Sequence, residues 1–476
     1  MGSLRIMAAI DAIHDISHSK AFFLLGLCAV VIFVVRWYKA SLKGTLPPGP
    51  RGFPIVGNTF QLGRLPWFQL TRWARQYGPI YSLNLGGQIL IVLNNHKVAS
   101  DLLDKRSAIY ADRPRMIMTG ELLCGGFFFA FNSCNDLWRR LRKAAFEGLN
   151  FRSSEVFQPV QEREAIRLAE ALVKNPSAWM DHINRVTASG VLSVCYSLPP
   201  VASAEDPVIT LINNFMHRIE AGSRPGEYLV ELFPWMLRLP KWMAKWHRDA
   251  DEAHARDTEM FMKFHLDAKR RAALGQCGPC MSGILMERNE VFRWRNIGPL
   301  GLPHYSTEDD WYEGYYIPKG SMIFFNQWAM NTDTEVYGDD FNTFRPERFL
   351  DETGKKENVP PNTHGEGHTG FGYGRRKCVG VNLAKSTMFI NIATTLWAFD
   401  IGRGKDSNGN VFTPDPDAFE DRGLVVGPDP FPVTFTPRYP DVVPEILAHA
   451  QQVVRPVQVQ HTPIAPKDMP VDAEAY

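Results

Sequence analysis

Between residues 52 and 450 apolar residues recur mostly every three or four positions, the spacing of amphipathic helices. The pattern predicts helices at residues 97–104, 135–147, 162–173, 207–220, 245–274 and 382–397. Alternating apolar and polar residues predict strands at 81–93 (YSLNLGGQILIVL) and around 315–325. No repeat or long low-complexity linker divides this stretch. We therefore expect one large domain over residues 52–450, mainly α with small β-sheets (α+β).

An unbroken apolar run, AFFLLGLCAVVIFVV, occupies residues 21–35. As a helix it would rise roughly 22 Å, short of a ~30 Å hydrocarbon core, a gap that flanking aromatic and basic residues can close. A cleaved signal peptide has an apolar region of about this length. A membrane anchor over residues 21–38 is favoured because no small-x-small cleavage site follows and the next segment is basic.

Basic residues after the apolar run (Arg36, Lys39, Lys43 and Arg51) outnumber those before it. The positive-inside rule then predicts residues 1–20 in the lumen of the endoplasmic reticulum and the body in the cytosol. Residues 39–51, which include LPPGP, predict a basic and proline-rich hinge, since three prolines in five residues stop a helix. Residues 451–476 are expected to be a disordered tail.

The segment 225–242 (PGEYLVELFPWMLRLPKW) is rich in aromatic and aliphatic residues and interrupted by prolines. It is compatible with a buried loop between helices and equally with a surface that dips into a membrane near a substrate entrance.

Composition excludes some classes of protein. The net charge is +1 and no basic block is interleaved with aromatic residues, so we expect no nucleic-acid partner. The 7 cysteines are scattered and odd in number, which is not a disulfide framework and favours a reducing compartment.

Residues 371–380, FGYGRRKCVG, carry the strongest chemical signal. Cys378 ends a loop that contains Gly372 and Gly374, and Gly380 precedes a predicted helix. Glycines allow the backbone to fold tightly against a flat cofactor, and N–H groups near a helix start stabilise a thiolate. Phe371 can shield the sulfur, and Arg376 can reach a carboxylate by a charge-assisted hydrogen bond.

Three further motifs accompany this loop. Trp138 and Arg142 lie four apart, on one helix face, as Glu290 and Arg293 lie three apart, and Arg348 stands in FRPERF at residues 344–349. Any one of them alone would be an ordinary helix or surface ion pair.

Taken together, in this order, these motifs resemble those of the cytochrome P-450 haem-thiolate monooxygenases, from LPPGP to about Arg438. The resemblance implies haem b ligated through iron by the Cys378 thiolate, with Phe371, Gly374, Arg376 and Gly380 in the haem-binding loop. It places Trp138, Arg142 and His304 at the haem propionates, although His304 could equally be a surface loop histidine. It makes Glu290, Arg293 and Arg348 a structural charge network.

The resemblance also implies O2 and electrons from a separate NADPH-cytochrome P-450 reductase, for which Arg139, Arg140, Arg142 and Lys143 are a plausible docking face. Oxygen would be inserted into a C–H bond of a small hydrophobic substrate. The expected pocket residues, which simple core packing would also explain, are Phe127, Phe128, Phe129, Leu300 and Leu302. GPLGLPH (residues 298–304) and FINIATTLWAFDI (residues 389–401) look most like fungal microsomal members, often tailoring enzymes of terpenoid or polyketide pathways.

One family feature is not found in the sequence. The distal helix with its small-Gly-x-Asp/Glu-Thr-Thr signature, which delivers protons to bound O2, does not occur, and by comparison with the family several tens of residues are missing near residues 286–290. A skipped exon in a gene model is favoured over a splice variant or a degraded paralogue. A catalytically impaired haem-binding remnant is therefore an alternative function.

A third hypothesis is a thiol-redox protein that uses Cys277 and Cys280 in QCGPCMSG. The two cysteines lack the strand-to-helix setting that such a pair requires.

Overall fold

The computed structural model describes residues 44–150, 157–196, 198–201, 203, 206–224, 227–273, 293–349 and 359–453. Residues 21–38, 277, 280 and 286–290 lie outside these ranges, and with them the predicted anchor, the cysteine pair and Glu290. Within the described ranges no helix is long and apolar enough to cross a bilayer.

Helices make up most of the regular structure, as the apolar spacing predicts. The α-helices are α1 Pro66–Tyr77, α2 His96–Ala99, α3 Ser107–Tyr110, α4 Asp136–Leu149, α5 Gln158–Lys174, α6 Trp179–Tyr196, α7 Pro207–Gly222, α8 Leu229–Leu232, α9 Lys245–Ala273, α10 Gln327–Asn331, α11 Thr334–Tyr337, α12 Val381–Ala398 and α13 Val443–Val453. Two π-helical segments, Ser100–Lys105 and Ile117–Leu123, and a 3-10 turn, Gly374–Arg376, lie near the site described below.

The strands form small sheets. They are β1 Ile80–Leu85, β2 Gln88–Leu93, β3 His304–Tyr305, β4 Asp310–Tyr312, β5 Tyr315–Ile317, β6 Met322–Phe325, β7 Phe399–Arg403, β8 Phe419–Asp421, β9 Val426–Pro428 and β10 Val433–Pro437. The four-stranded sheet has the order β1-β2-β6-β3, with β2 and β6 parallel and the other pairs antiparallel. The prediction of a mainly helical fold with small sheets is confirmed.

The first hairpin shows how sequence sets local structure. The apolar run predicted at residues 81–93 is interrupted by Gly86 and Gly87, which have φ values of 59° and 100°. Glycine adopts positive φ without strain, so the chain reverses there and β1 pairs with β2.

Apolar side chains gather into several clusters. One lies between the four-stranded sheet and the π-helical segment Ser100–Lys105 and includes Ile91, Leu102 and Tyr373. A second joins α5, α6, β7 and α13. A third joins the π-helical segment Ile117–Leu123 to α7 and α9. The first cluster supports one side of the cysteine loop, and the third packs against Leu302, one of the predicted pocket residues.

Two predicted segments are partly described. Helix α13 runs to Val453, so residues 451–453 of the predicted disordered tail are helical, and the remainder lies outside the described residues. In the segment 225–242, Leu229, Phe233, Trp235 and Trp242 are exposed. The buried-loop interpretation is therefore wrong for these four side chains.

Candidate functional site

The loop at residues 371–380 is folded on itself by backbone hydrogen bonds. The Cys378 N–H donates to the Phe371 carbonyl at 2.8 Å, which closes the loop just before α12 begins. Gly372 has φ 77° and Gly374 has φ 52°, both in the left-handed region. A Cβ at Gly374 would lie 2.1 Å from the Leu103 carbonyl oxygen, so glycine is required there by close approach as well as by φ.

Gly380 has a different role in the loop. Its φ is −87°, which any residue adopts, and an added Cβ would meet only the Cys378 Sγ, at 3.9 Å. The neighbouring protein therefore does not itself require a glycine at this position. The open space beside the sulfur is what a flat group bound to the thiolate would occupy.

The thiol of Cys378 is accessible, yet protein atoms surround much of it. This partial desolvation raises the pKa of the Cys378 thiol above its usual value, while a hydrogen bond from the Gly380 backbone N–H and the positive charge of Arg142 lower it. The surroundings therefore provide a donor and a cation for a thiolate, and binding a metal cation would complete its deprotonation.

Trp138 and Arg142 lie on one face of α4, as their spacing predicts. The side chain of Asn135 caps the helix by accepting from the Trp138 N–H at 2.8 Å. The Arg142 guanidinium lies 5.8 Å from the Trp138 ring centroid and donates to the Lys377 carbonyl at 2.7 Å. The helix is thereby joined to the residue that precedes Cys378.

Arg376 reaches the same place from the loop. Its guanidinium lies 4.4 Å from the Trp138 ring centroid. It donates to the carbonyl oxygens of Ala111 (2.7 Å), Phe129 (3.2 Å) and Asn132 (2.6 Å). It also donates to the Cys134 Sγ at 3.4 Å, so its described hydrogen-bond partners are three backbone carbonyls and one sulfur, and a carboxylate partner stays a prediction.

His304 is buried rather than a surface loop histidine. Its Nδ1 lies 2.8 Å from the Tyr110 carbonyl oxygen, which can only accept, so Nδ1 carries the proton. Burial, reinforced by the charge of Arg113, lowers the pKa of His304 well below its usual value. The imidazole is neutral at pH 7.

Arg113 is a member of this group that sequence reasoning missed. It is buried and donates to the carbonyls of Ala130 (3.0 Å), Leu302 (2.9 Å) and Pro303 (2.7 Å). Burial and the nearby charge of Arg376 lower its pKa to about 9. Its local sequence, ADRPR, resembles a turn, and only the fold places it beside residues nearly 200 positions away.

The cationic group formed by Arg113, Arg142, Arg376 and Trp138 fits a cofactor with carboxylates. Three guanidinium groups approach one another, and the pKa values of all three are lowered by burial. The Trp138 Nε1–H is buried, and none of the described residues accepts a hydrogen bond from it. A buried unpaired donor among like charges costs free energy that an anionic acceptor would recover. Haem, with two propionates and an iron for Cys378, meets these requirements.

The predicted pocket residues differ in burial and in the apolar clusters that they join. Phe127 and Phe128 are exposed and Phe129 is half-buried. Leu302 packs against the third apolar cluster, with Met118, Leu123, Phe131 and Ile219, which the sequence did not single out. Leu300 packs instead with the cluster of Trp67 and Trp328. A shared substrate pocket for these five predicted residues stays a prediction.

Arg293 and Arg348 converge on one stretch of backbone. Arg293 is buried, donates to the carbonyls of Asn331 (2.7 Å) and Phe341 (3.0 Å), and lies 4.9 Å from the Tyr337 ring centroid. Arg348 binds the Asp340 carboxylate at 2.7 Å and also donates to the Tyr337 carbonyl. Both arginines thus fasten residues 331–343; Glu290, their predicted partner, lies outside the described residues.

The cysteine loop, its cationic group and the mainly helical frame fit the class of haem-thiolate proteins. The model of the family described as Cytochrome P450 matches residues 47–276 and 288–435. The chain is 39% identical to cytochrome P450 monooxygenase 58 of Postia placenta, over 88% of this chain and 94% of that protein. A cytochrome P450 monooxygenase of Armillaria gallica is 38% identical (89% and 96%), and monooxygenase iboC of Amanita muscaria 27% (92% and 99%). The chain belongs to the cytochrome P450 family and is an oxidoreductase of the monooxygenase type.

The same comparisons show a gap. The family match stops at residue 276 and resumes at residue 288. The alignment with the Postia protein spans 495 positions, whereas 88% of 476 residues is about 419, so about 76 positions have no counterpart in this chain.

Proposed function

We propose that this protein is a membrane-anchored monooxygenase that oxidises a small hydrophobic molecule with O2 and electrons from an NADPH-cytochrome P-450 reductase. The observation that carries the proposal is the convergence of Cys378 with Trp138, Arg142 and Arg376. A thiol in a glycine-rich loop beside an unpaired donor and buried cations is suited to haem b.

In this proposal each side chain has one task. Cys378 supplies the thiolate ligand, and Gly380 leaves space beside the sulfur and donates its N–H to it. Trp138, Arg142, Arg376 and Arg113 would hold the propionates, and neutral His304, which donates to the Tyr110 carbonyl, lies near Arg113 and Arg376. The haem, once bound, supplies the oxidising chemistry, which the thiolate promotes by donating electron density to the iron.

An apolar substrate follows from the side chains near that site. Met118, Leu123, Phe131 and Ile219 are buried together with Leu302 packed against them, and the Phe128 ring lies tilted against the Phe131 ring with centroids 5.0 Å apart. Such a wall recognises shape and apolar surface and few polar groups. We propose a fungal secondary metabolite, of terpenoid or polyketide and aromatic type, as the substrate class.

The reductase would approach α4. Arg139, Arg140 and Lys143 are exposed, whereas Arg142 is directed toward Lys377 and belongs to the cofactor site rather than to a docking face. Arg139 pairs with Asp136 and Lys143 lies 3.7 Å from Glu147, so part of the positive charge is compensated. The remaining charge would steer an acidic partner.

A location at the endoplasmic reticulum membrane rests on residues 21–38 and on the exposed apolar residues of the segment 225–242. Leu229, Phe233, Trp235 and Trp242 are large and exposed, and Trp and Phe side chains favour a membrane interface. The body would then lie in the cytosol with this segment against the lipid.

A catalytically impaired haem-binding form, or an incomplete gene model, is the second candidate. The interrupted family match and the roughly 76 unmatched positions support it. Exposed apolar side chains on three helices support it too: Ile183 and Val191 on α6, Met262 and Leu266 on α9, and Met388, Leu396 and Trp397 on α12. Large uncovered apolar areas are typical of a surface that has lost its partner.

One series of experiments separates these candidates. The purified chain is reconstituted with haem, reduced and exposed to carbon monoxide. A red-shifted Soret band that Cys378→Ser abolishes supports the haem-thiolate site, and its absence from the wild-type chain contradicts it. Substrate-dependent NADPH consumption with a reductase supports the monooxygenase, whereas haem binding without consumption favours the impaired form. Sequencing the transcript across residues 286–290 then identifies an incomplete gene model.

A Cys277→Ser variant tests the thiol-redox hypothesis. If the Cys277→Ser variant retains the activity of the wild-type chain, the thiol-redox hypothesis is rejected.

A further inference from the structure

The cysteine loop rests on the π-helical segment Ser100–Lys105. The 3-10 turn Gly374–Arg376 approaches this segment so closely that a Cβ on Gly374 would overlap the Leu103 carbonyl oxygen. π-Helical geometry widens the turn and presents carbonyls and side chains that an α-helix would direct elsewhere. The contact therefore depends on backbone shape on both sides.

One carboxylate fastens the two segments. The Gly374 N–H donates to Asp104 Oδ1 at 2.6 Å. The other oxygen, Oδ2, lies 2.8 Å from His364 Nε2. Gly374 is 270 residues and His364 260 residues from Asp104, so a single side chain joins its own segment to two points in a distant stretch of the chain.

His364 is held in place from two further directions. Its backbone has φ 57°, a left-handed conformation that is uncommon for a residue other than glycine. Its ring packs against the Tyr373 ring with centroids 5.4 Å apart. The neighbouring structure thus determines the orientation of the imidazole toward Asp104, and Tyr373 is itself a fully buried member of the loop.

We propose that Asp104 and His364 are positioning residues that hold the loop of Cys378 in the conformation in which its thiolate can ligate iron. Asp104 fixes the N–H of Gly374, four residues before the cysteine, and His364 orients the Asp104 carboxylate. A role of these two residues in catalysis rests on the proposed function. Their effect on the conformation of the loop does not depend on it.

The first experiment uses the full chain without added haem. Hydrogen exchange of backbone amides in residues 371–380 and the rate of Cys378 alkylation by iodoacetamide are measured in wild type, Asp104→Ala, Asp104→Asn and His364→Ala. Exposed Cys195 serves as the internal reference. Asp101→Asn is the matched control, because Asp101 lies on the same π-helical segment and pairs with Lys97 and Lys105.

Asp104→Ala should raise both rates at the loop by about tenfold or more, the opening expected when a charge-assisted hydrogen bond is removed. His364→Ala should raise them less, and the double variant no more than Asp104→Ala, because His364 acts through Asp104. Asp104→Asn should lie between, since the amide oxygen still accepts from Gly374. Asp101→Asn and the Cys195 rate should not change.

Loop rates within twofold of wild type in folded Asp104→Ala would overturn the proposal. If that variant loses its far-UV circular dichroism, Asp104→Asn and His364→Ala decide instead, and wild-type rates in both overturn it. After haem loading, a smaller fraction of the red-shifted carbon monoxide band in these variants shows that loop order matters for ligation. A chain that never binds haem contradicts the proposed function and leaves the loop result intact.

Discussion

At the scale of single residues, Trp138 is informative because its indole serves two purposes. The ring lies against the Arg376 guanidinium, and the buried Nε1–H has no hydrogen-bond acceptor within the part of the chain that the structure describes. This contact between ring and guanidinium stabilises the protein by itself. The donor destabilises it until an acceptor arrives, as buried unpaired donors do.

Trp138→Phe should therefore act in opposite directions on stability and on binding. The apo protein should keep its free energy of unfolding or gain up to about 1 kcal/mol, because an unpaired buried donor is removed. Haem affinity should fall by about tenfold as the propionate loses a donor. Urea unfolding measures the first effect and transfer of haem to an acceptor apoprotein measures the second. Equal haem loss rates in both proteins would contradict this role for Trp138.

A second residue-scale prediction concerns His96, which is buried between the hydroxyl groups of Tyr337 (3.2 Å) and Tyr373 (3.4 Å). Burial lowers the pKa of His96 to about 4. The unfolded chain therefore binds one more proton than the folded chain between about pH 4 and 6.5, so stability falls as pH decreases through that window. Above the unfolded pKa the histidine makes no pH-dependent contribution.

His96→Asn should reduce the slope of unfolding free energy against pH in that window by up to about 1.4 kcal/mol per pH unit. Urea titrations at several pH values measure it. An unchanged slope would show that His96 titrates alike in both states. His304 and His368, whose pKa values burial also lowers, account for further slope in the same direction.

At the scale of elements, α4 determines whether the cofactor residues are presented together. Asn135 caps the helix and Trp138 lies in its first turn. Without the cap the first-turn N–H groups lose a partner and that turn frays. The effect should then extend from the helix to the cofactor.

Asn135→Ala should lower the free energy of unfolding by about 1 kcal/mol and weaken haem binding as well. Asp206→Ala is the control, since Asp206 caps α7 in the same manner by accepting from the Val208 N–H at 2.9 Å. The control should show a similar loss of stability with unchanged haem affinity. If both variants lose haem equally, the effect is global rather than local to α4.

The elements themselves were largely predictable. Helices α5, α7, α9 and α12 begin and end within four residues of the apolar pattern that indicated them. The π-helical form of Ser100–Lys105 was not, because π and α segments bury apolar residues at similar spacings. The strands β7 to β10 were not predicted either, since they are too short to show a clear alternation of apolar and polar residues.

At the scale of the whole molecule, the unmatched alignment positions concern stability as well as chemistry. Helices α6, α9 and α12 expose large apolar side chains on outer faces. Contact with an additional helix that removed on the order of 200 Å² of apolar surface from water would stabilise the fold by about 5 kcal/mol.

Inserting the corresponding segment of the Postia relative between residues 286 and 290 should raise the free energy of unfolding by several kcal/mol, on the order of 5. It should also reduce binding of a hydrophobic fluorescent dye and increase the fraction of haem-thiolate band. A polar, flexible insert of equal length is the control. Equal stability of the two insertion variants would show that the exposed apolar side chains of α6, α9 and α12 are not the contact surface of the inserted segment.

The sequence by itself determined the chemistry that local spacing can express. The order Phe-x-x-Gly-x-Arg-x-Cys-x-Gly identified Cys378 and its loop, because backbone turns and helix faces depend on residues a few positions apart. The same holds for Trp138 and Arg142 on one face of α4. These features need no knowledge of the rest of the chain.

Only the tertiary structure decided which distant groups meet. Arg113 joins the cationic group, Asp104 binds Gly374 and His364, and Leu300 and Leu302 separate into different apolar clusters. These partners are separated by up to 270 residues. Such contacts arise from how helices and sheets pack against one another, and the amino-acid pattern around each partner carries no signal of the other.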